Sequence, residues 1–223
     1  MDKHSQKNGI IEGTIWKQLL IFFFPILVGT FFQQLYNTVD AVIVGQFAGK
    51  EALSSVGGSS SQIINFVVGF FTGLSAGATV IISQFYGAND ANKIHRALHT
   101  AYAFSIVGGI IAGIIGIALT VPVMKLMNTP EELMHDSAMY VMIYFGGLVF
   151  IFVYNMGSAI LRAIGDSKRP LYYLIICCFI NIVLDIVFVS VLKLGVLGVA
   201  VATFISQLVS AVLVTRALMY HTE

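Results

Sequence analysis

The longest uncharged runs of this chain constrain its fold more than any other feature. Residues 18–39 carry no charged side chain, and neither do residues 52–89, a stretch of 38 positions. A hydrocarbon core about 30 Å thick needs roughly 20 such residues per helical crossing. Composition points the same way: 57% of the 223 residues are hydrophobic and 10% are charged, with a mean hydropathy of +0.88. Soluble domains carry about a quarter charged residues. Too little polar surface is available to cover a water-soluble globule, so the expected fold class is an all-α integral membrane protein. With a net charge of +1 and no long basic cluster, nothing favours a nucleic-acid partner.

Six stretches qualify as transmembrane helices: 16–44, 57–84, 98–124, 137–161, 171–192 and 196–218. They leave an N-terminal segment, 1–15, and a tail, 219–223. Lys3, Lys7 and Lys17 before LLIFFFPILVGTFF imitate a signal peptide. The apolar run is too long for one and no A-x-A cleavage site follows, so it is expected to stay as the first span. With the N-terminus inside, nine Lys and Arg fall on the inner side, and only Lys50, Lys125 and Lys193 on the outer side. That bias predicts both termini in the cytoplasm of a multi-pass protein. The polar LSSVGGSSSQ run is expected to form an outer end of the second span.

Gly69, Gly73 and Gly77, and again Gly109 and Gly113, recur every four residues, a spacing that lets helix backbones approach in lipid. Ordinary membrane-helix composition explains the pattern equally well. Pro25 removes a backbone hydrogen bond from the first span and is expected to kink or loosen it. Cys177 and Cys178 are adjacent in an apolar run, with neither a CxxC pair nor a nearby His, and read as packing residues.

The acids inside these runs carry the functional signal. In FFQQLYNTVDAVIVGQFAG, residues 31–49, Gln33, Tyr36, Asn37 and Asp40 share one helical face. In the fifth span Asn181 and Asp185 lie one turn apart. Depth from the span ends sets Asp40, Asp185 and Thr203 in the outer half, and Tyr140 opens the fourth span from the same side. A carboxylate at mid-membrane costs about 2.5–3.5 kcal/mol on insertion scales. No Lys or Arg is expected at that level to pair with either acid. Protonation, or a small bound cation, is one way to hold them there; the alternative is an acid solvated in a water-filled funnel.

Several motifs together resemble the multidrug and toxic compound extrusion (MATE) family, in its prokaryotic DinF-like branch. They are P-x7-Q-Q-L-Y-N-T-x-D-x4-G from Pro25 to Gly45, the glycine-rich run ending Q-x-x-G-A at Ala88, L-R-A-I-G-D-x-K-x-P over residues 161–170, and N-x3-D followed by L-G-V-x-G-x-A-x-A-T up to Thr203. The resemblance covers the chain, but only as the first of the family's two six-helix lobes. It implies a cation-coupled antiporter of the cell membrane, not an enzyme, exporting cationic or aromatic drugs in exchange for H⁺ or Na⁺, without a cofactor. It further implies that Asp40 and Asp185 titrate or bind Na⁺ with Asn181, that Tyr36, Thr203 and Tyr140 complete the cluster, and that Gln33, Gln34 and Asn155 contact drug. Pro25 would be the hinge. A second lobe, separate or missing, or a homodimer, would complete the transporter.

Three rivals remain. A lipid-linked oligosaccharide flippase of the same superfamily would line its cavity with arginines, and none is expected in this membrane core. An accessory membrane subunit gains weight from the single lobe. An intramembrane aspartyl protease also needs two membrane aspartates, but TVDAV and VLDIV lack the tyrosine and GxGD settings of that chemistry.

Overall fold

A computed structural model of the chain describes residues 15–222. Most of the 1–15 segment, with Lys3 and Lys7, lies outside the described residues, as does Glu223. Among the described residues the order is α1 (Ile15–Ile43), a π-helical turn (Val44–Ala48), α2 (Gly49–Gly57), α3 (Ser59–Gly87), α4 (Ala91–Leu126), α5 (Glu131–Gly146), α6 (Leu148–Ala163), α7 (Lys168–Asp185), a second π-helical turn (Ile186–Val191) and α8 (Gly195–Thr222). Five spans are long and apolar enough to cross a membrane, the first running Leu19–Gly57, and α5 with α6 makes a sixth as a bent pair. The surface is inverted relative to a soluble protein: Trp16, Phe24, Phe66 and Ile114 all stand exposed, as lipid-facing side chains do.

Connections are short and turn on single left-handed residues, Asn89, Asn128, Gly165 and Lys193. Asp90 caps α4 by accepting from the Lys93 backbone N–H at 3.1 Å. That bond, with the Lys93 ammonium at 3.0 Å, holds the exposed Asp90 carboxyl below its ordinary pKa. Asp166 likewise caps α7, accepting from the backbone N–H groups of Lys168 and Arg169 at 3.1 Å each.

Four features refine the sequence-based expectations. The fourth span is not one straight helix: α5 and α6 meet at a 48° bend at Gly146-Gly147. A Cβ added to Gly147 would lie 3.0 Å from the Phe204 ring, so α8 packs close against the bend. α1 runs uninterrupted through Pro25; the irregular backbone of that span comes later, at Val44–Ala48. The LSSVGGSSSQ run does lie at a span end, where the first span gives way to the second, but it is helical and not a loose fringe. It forms the end of α2 and the start of α3, with Ser55 and Ser60 buried. Ser60 and Ser137 both donate to the Ser55 carbonyl, at 2.6 and 3.2 Å, tying α2, α3 and α5 together.

The fourth feature concerns the glycines, where each of the two readings holds for one helix. Gly109 and Gly113 do sit at close helix contacts, since an added Cβ would lie 2.7 Å from Val149 Cα and 2.7 Å from the Phe145 carbonyl. The Gly69, Gly73 and Gly77 stripe does not, because a Cβ on any of the three meets nothing within 4 Å.

Candidate functional site

Both acids sit at the mouths of the π-helical turns. Asp40 lies in the last turn of α1, just before Val44–Ala48, and Asp185 is the last residue of α7, directly before Ile186–Val191. A π turn carries an extra residue per hydrogen-bonded ring, so it widens the helix and re-aims the side chains around it. The two π turns touch each other, and each touches α8. Two acids distant in sequence are thereby brought to one place.

The place is buried. Asp40 is 8% exposed, and Asn181 and Asp185 are fully enclosed. The two carboxyl groups approach closely enough to interact. The Tyr36 hydroxyl lies 3.4 Å from Thr203 Oγ1, joining α1 to α8, and the buried Tyr140 on α5 lies within electrostatic range of Asp40, Asp185 and Tyr36. The six residues expected to form the polar cluster are therefore together. Tyr144, one turn beyond Tyr140, also borders Tyr36 and Tyr140. It was missed, although the Y-x3-Y spacing was there to be read.

What the cluster lacks is as informative as what it holds. Asp40 Oδ1, both Asp185 oxygens and both polar atoms of Asn181 are buried without a hydrogen-bond partner. The ion pairs seen among the described residues, Asp90–Lys93 and Asp166–Arg169, lie at the starts of α4 and α7 and involve neither acid. Ionised carboxylates only accept, so two of them cannot bond each other. A proton on either turns their approach into a hydrogen bond, and a small hard cation would use the same oxygens. No group of three or more His, Cys, Asp or Glu side chains suited to a metal occurs among the described residues.

A cavity of about 180 Å³ adjoins the cluster and runs toward the other end of the lobe, lined by Pro25, Gln33, Tyr144, Asn155, Arg162 and Gln207 among others. Gln33 and Asn155 are thus brought to one space. Gln34 is not among its lining residues: it is exposed, and its side-chain oxygen accepts from Asn37 at 3.3 Å. Arg162 corrects an expectation. Expected among the inner loop charges, with no arginine in the core, it instead lies in the last turn of α6, part-buried against this cavity.

Fold and site define a multi-pass helical membrane protein with a buried acidic cluster beside a polar cavity. The MatE family model matches residues 25–187, a span that includes Pro25, Asp40 and Asp185, and the chain belongs to that family. Members are transporters, not enzymes. The chain is 32% identical over 201 residues to "Probable multidrug resistance protein YoeA" of Bacillus subtilis, covering 88% of this chain and 43% of that protein. It is 33% identical over 197 residues to "Probable multidrug resistance protein YpnP" of the same organism, covering 88% and 44%. It superposes with a TM-score of 0.91 and 25% identity on the outward-facing structure of a multidrug resistance MATE family transporter of the MOP superfamily, covering all of this chain and 49% of that one. The chain therefore spans about half the length of these relatives.

Proposed function

We propose that this chain is the N-terminal six-helix lobe of a cation-coupled antiporter that exports drugs and other toxic organic compounds across the cell membrane. Asp40 and Asp185, with Asn181, take up H⁺ or Na⁺ from the outer side, and Tyr36, Thr203 and Tyr140 frame them. Both termini lie in the cytoplasm, in keeping with the basic bias of the inner segments. Drug occupies the adjoining cavity against Gln33 and Asn155, with Gln34 outside it. Bending of α1 at Pro25 links the cation state to drug release. A second lobe, or a second copy of this one, closes the transport pathway.

The single observation that carries this reading is the burial of Asp40 and Asp185 side by side without a basic partner. A charged pair in that setting is unfavourable, while a pair sharing one proton or one alkali ion is not. Uptake of the cation then changes the charge of the site by one and so alters the packing of α1 on α7. Efflux measured in a full-length transporter carrying this lobe provides the test. Asp40→Asn and Asp185→Asn should each abolish efflux driven by a proton or sodium gradient while leaving expression intact. Gradient-driven efflux at the wild-type level in both variants would contradict the proposal.

Arg162 supports a second reading, export of an anionic lipid-linked compound, because it lines the cavity and no carboxylate residue does. Under that reading Arg162→Gln would abolish transport and the Asp variants would not.

A further inference from the structure

The open glycine stripe of α3 leads to an interaction surface. Between α3 and α4 lies a groove of about 600 Å³. Its walls are apolar: Leu74, Gly77 and Ile81 from α3, Ala101 and Phe104 from α4, and Met156 behind them. Only one end is polar, where Lys93, Arg96 and Thr100 stand on the groove face of α4. We propose that this groove holds an acyl chain of an anionic phospholipid, with the lipid phosphate at Lys93 and Arg96.

Length is the first argument. At about 1.5 Å rise per residue, Arg96 to Phe104 spans about 12 Å and Leu74 to Phe85 about 16 Å. Half of a hydrocarbon core about 30 Å thick is about 15 Å. The groove is one leaflet deep, with its cations where a headgroup phosphate would lie. Shape is the second. Gly77 leaves its part of the wall open, since a Cβ there meets nothing within 4 Å. Charge is the third. Lys93 is paired with Asp90 at 3.0 Å and lies over the Phe85 ring at 5.8 Å. Arg96 is exposed and forms no ion pair among the described residues. The mouth therefore carries a surplus of one positive charge, which complements a phosphodiester and favours an anionic over a zwitterionic headgroup. None of this depends on the transport reading or on which leaflet the α3–α4 connection faces.

Native mass spectrometry of the full chain, released from detergent with equimolar phosphatidylglycerol and phosphatidylcholine of matched acyl chains, tests the proposal. Wild type should retain phosphatidylglycerol preferentially. Arg96→Gln should cut that preference about five-fold, the worth of one basic residue near a membrane surface. Gly77→Leu fills the groove and should remove retention of both lipids while helix content by circular dichroism is unchanged. Equal retention of the two lipids by wild type, or an unchanged preference in Arg96→Gln, would overturn the proposal. So would a photo-crosslinker at Ile81 that captures a protein segment in membranes in place of lipid.

Discussion

The lobe has two kinds of interior. Where α4 packs on α6 and α6 on α8, the contact is apolar and close. Leu148, Phe152, Ile160, Leu161 and Val214 are completely buried, Phe152 lies 4.3 Å ring to ring from Phe71, and Gly109, Gly113 and Gly157 remove the side chains that would hold the helices apart. Hydroxyls there are returned to their own helices, Ser105 to the Tyr102 carbonyl at 2.7 Å and Thr120 to the Gly116 carbonyl at 2.7 Å. Where α1 and α7 meet α8, the reverse holds: two carboxylates and an amide are enclosed with five of their polar atoms unpartnered. Helix association in lipid rests on close packing, because lipid tails are as apolar as leucine. The first interior therefore holds the lobe together. The second opposes it, and a buried group that costs stability without a partner is where function is sought.

This contrast separates two readouts. Asp185→Asn should have the largest effect on cation coupling and none on folding, because a neutral amide is cheaper to enclose than a carboxylate. Its melting temperature in detergent should equal or exceed wild type; a drop would mean that Asp185 is structural. Gly113→Leu should do the opposite. Its Cβ would press on the Phe145 backbone, so a destabilisation of about 1–3 kcal/mol is expected, with the cation dependence of the folded fraction unchanged. Altered coupling in this variant would show that the two interiors are not independent.

Smaller effects sharpen the same boundary. Tyr36→Phe removes the 3.4 Å contact with Thr203, a hydrogen bond worth about 0.5–1.5 kcal/mol at most. It should shift the midpoint of cation-dependent drug binding without abolishing it; no shift at all would exclude Tyr36 from the cluster. The smallest effect is a gain. Gly73→Ala adds a methyl into open space and replaces glycine inside a helix, which stabilises by about 0.5–1 kcal/mol. A loss of stability there, measured by thermal unfolding, would show that the stripe is packed after all.

Much of this was legible before the structure, because lipid is a simple solvent. An uncharged run of membrane length has one outcome, and an acid inside it is conspicuous. Backbone detail was not legible. The G-x3-G spacing is identical in α3 and α4, and only the neighbouring helix decides whether it is filled. The bend at Gly147 hides in a GG pair, which membrane helices tolerate anywhere. The π turns after Asp40 and Asp185 have no residue signature in VGQFA or IVFVSV, since they come from how the spans meet and not from local preference. Arg162 was misjudged because a charge at the end of a span was read as loop, whereas its long side chain lies against the cavity.

The central claim is that Asp40 and Asp185 make one cation site and not two. A double-mutant cycle on equilibrium drug binding across pH and sodium concentration tests it most directly, comparing wild type, Asp40→Asn, Asp185→Asn and the double variant. Residues acting as a unit are strongly non-additive. Each single variant should therefore lose as much of the cation dependence as the double variant does. If the two losses simply add, or if either single variant keeps the full dependence, the acids act separately and the shared site is wrong.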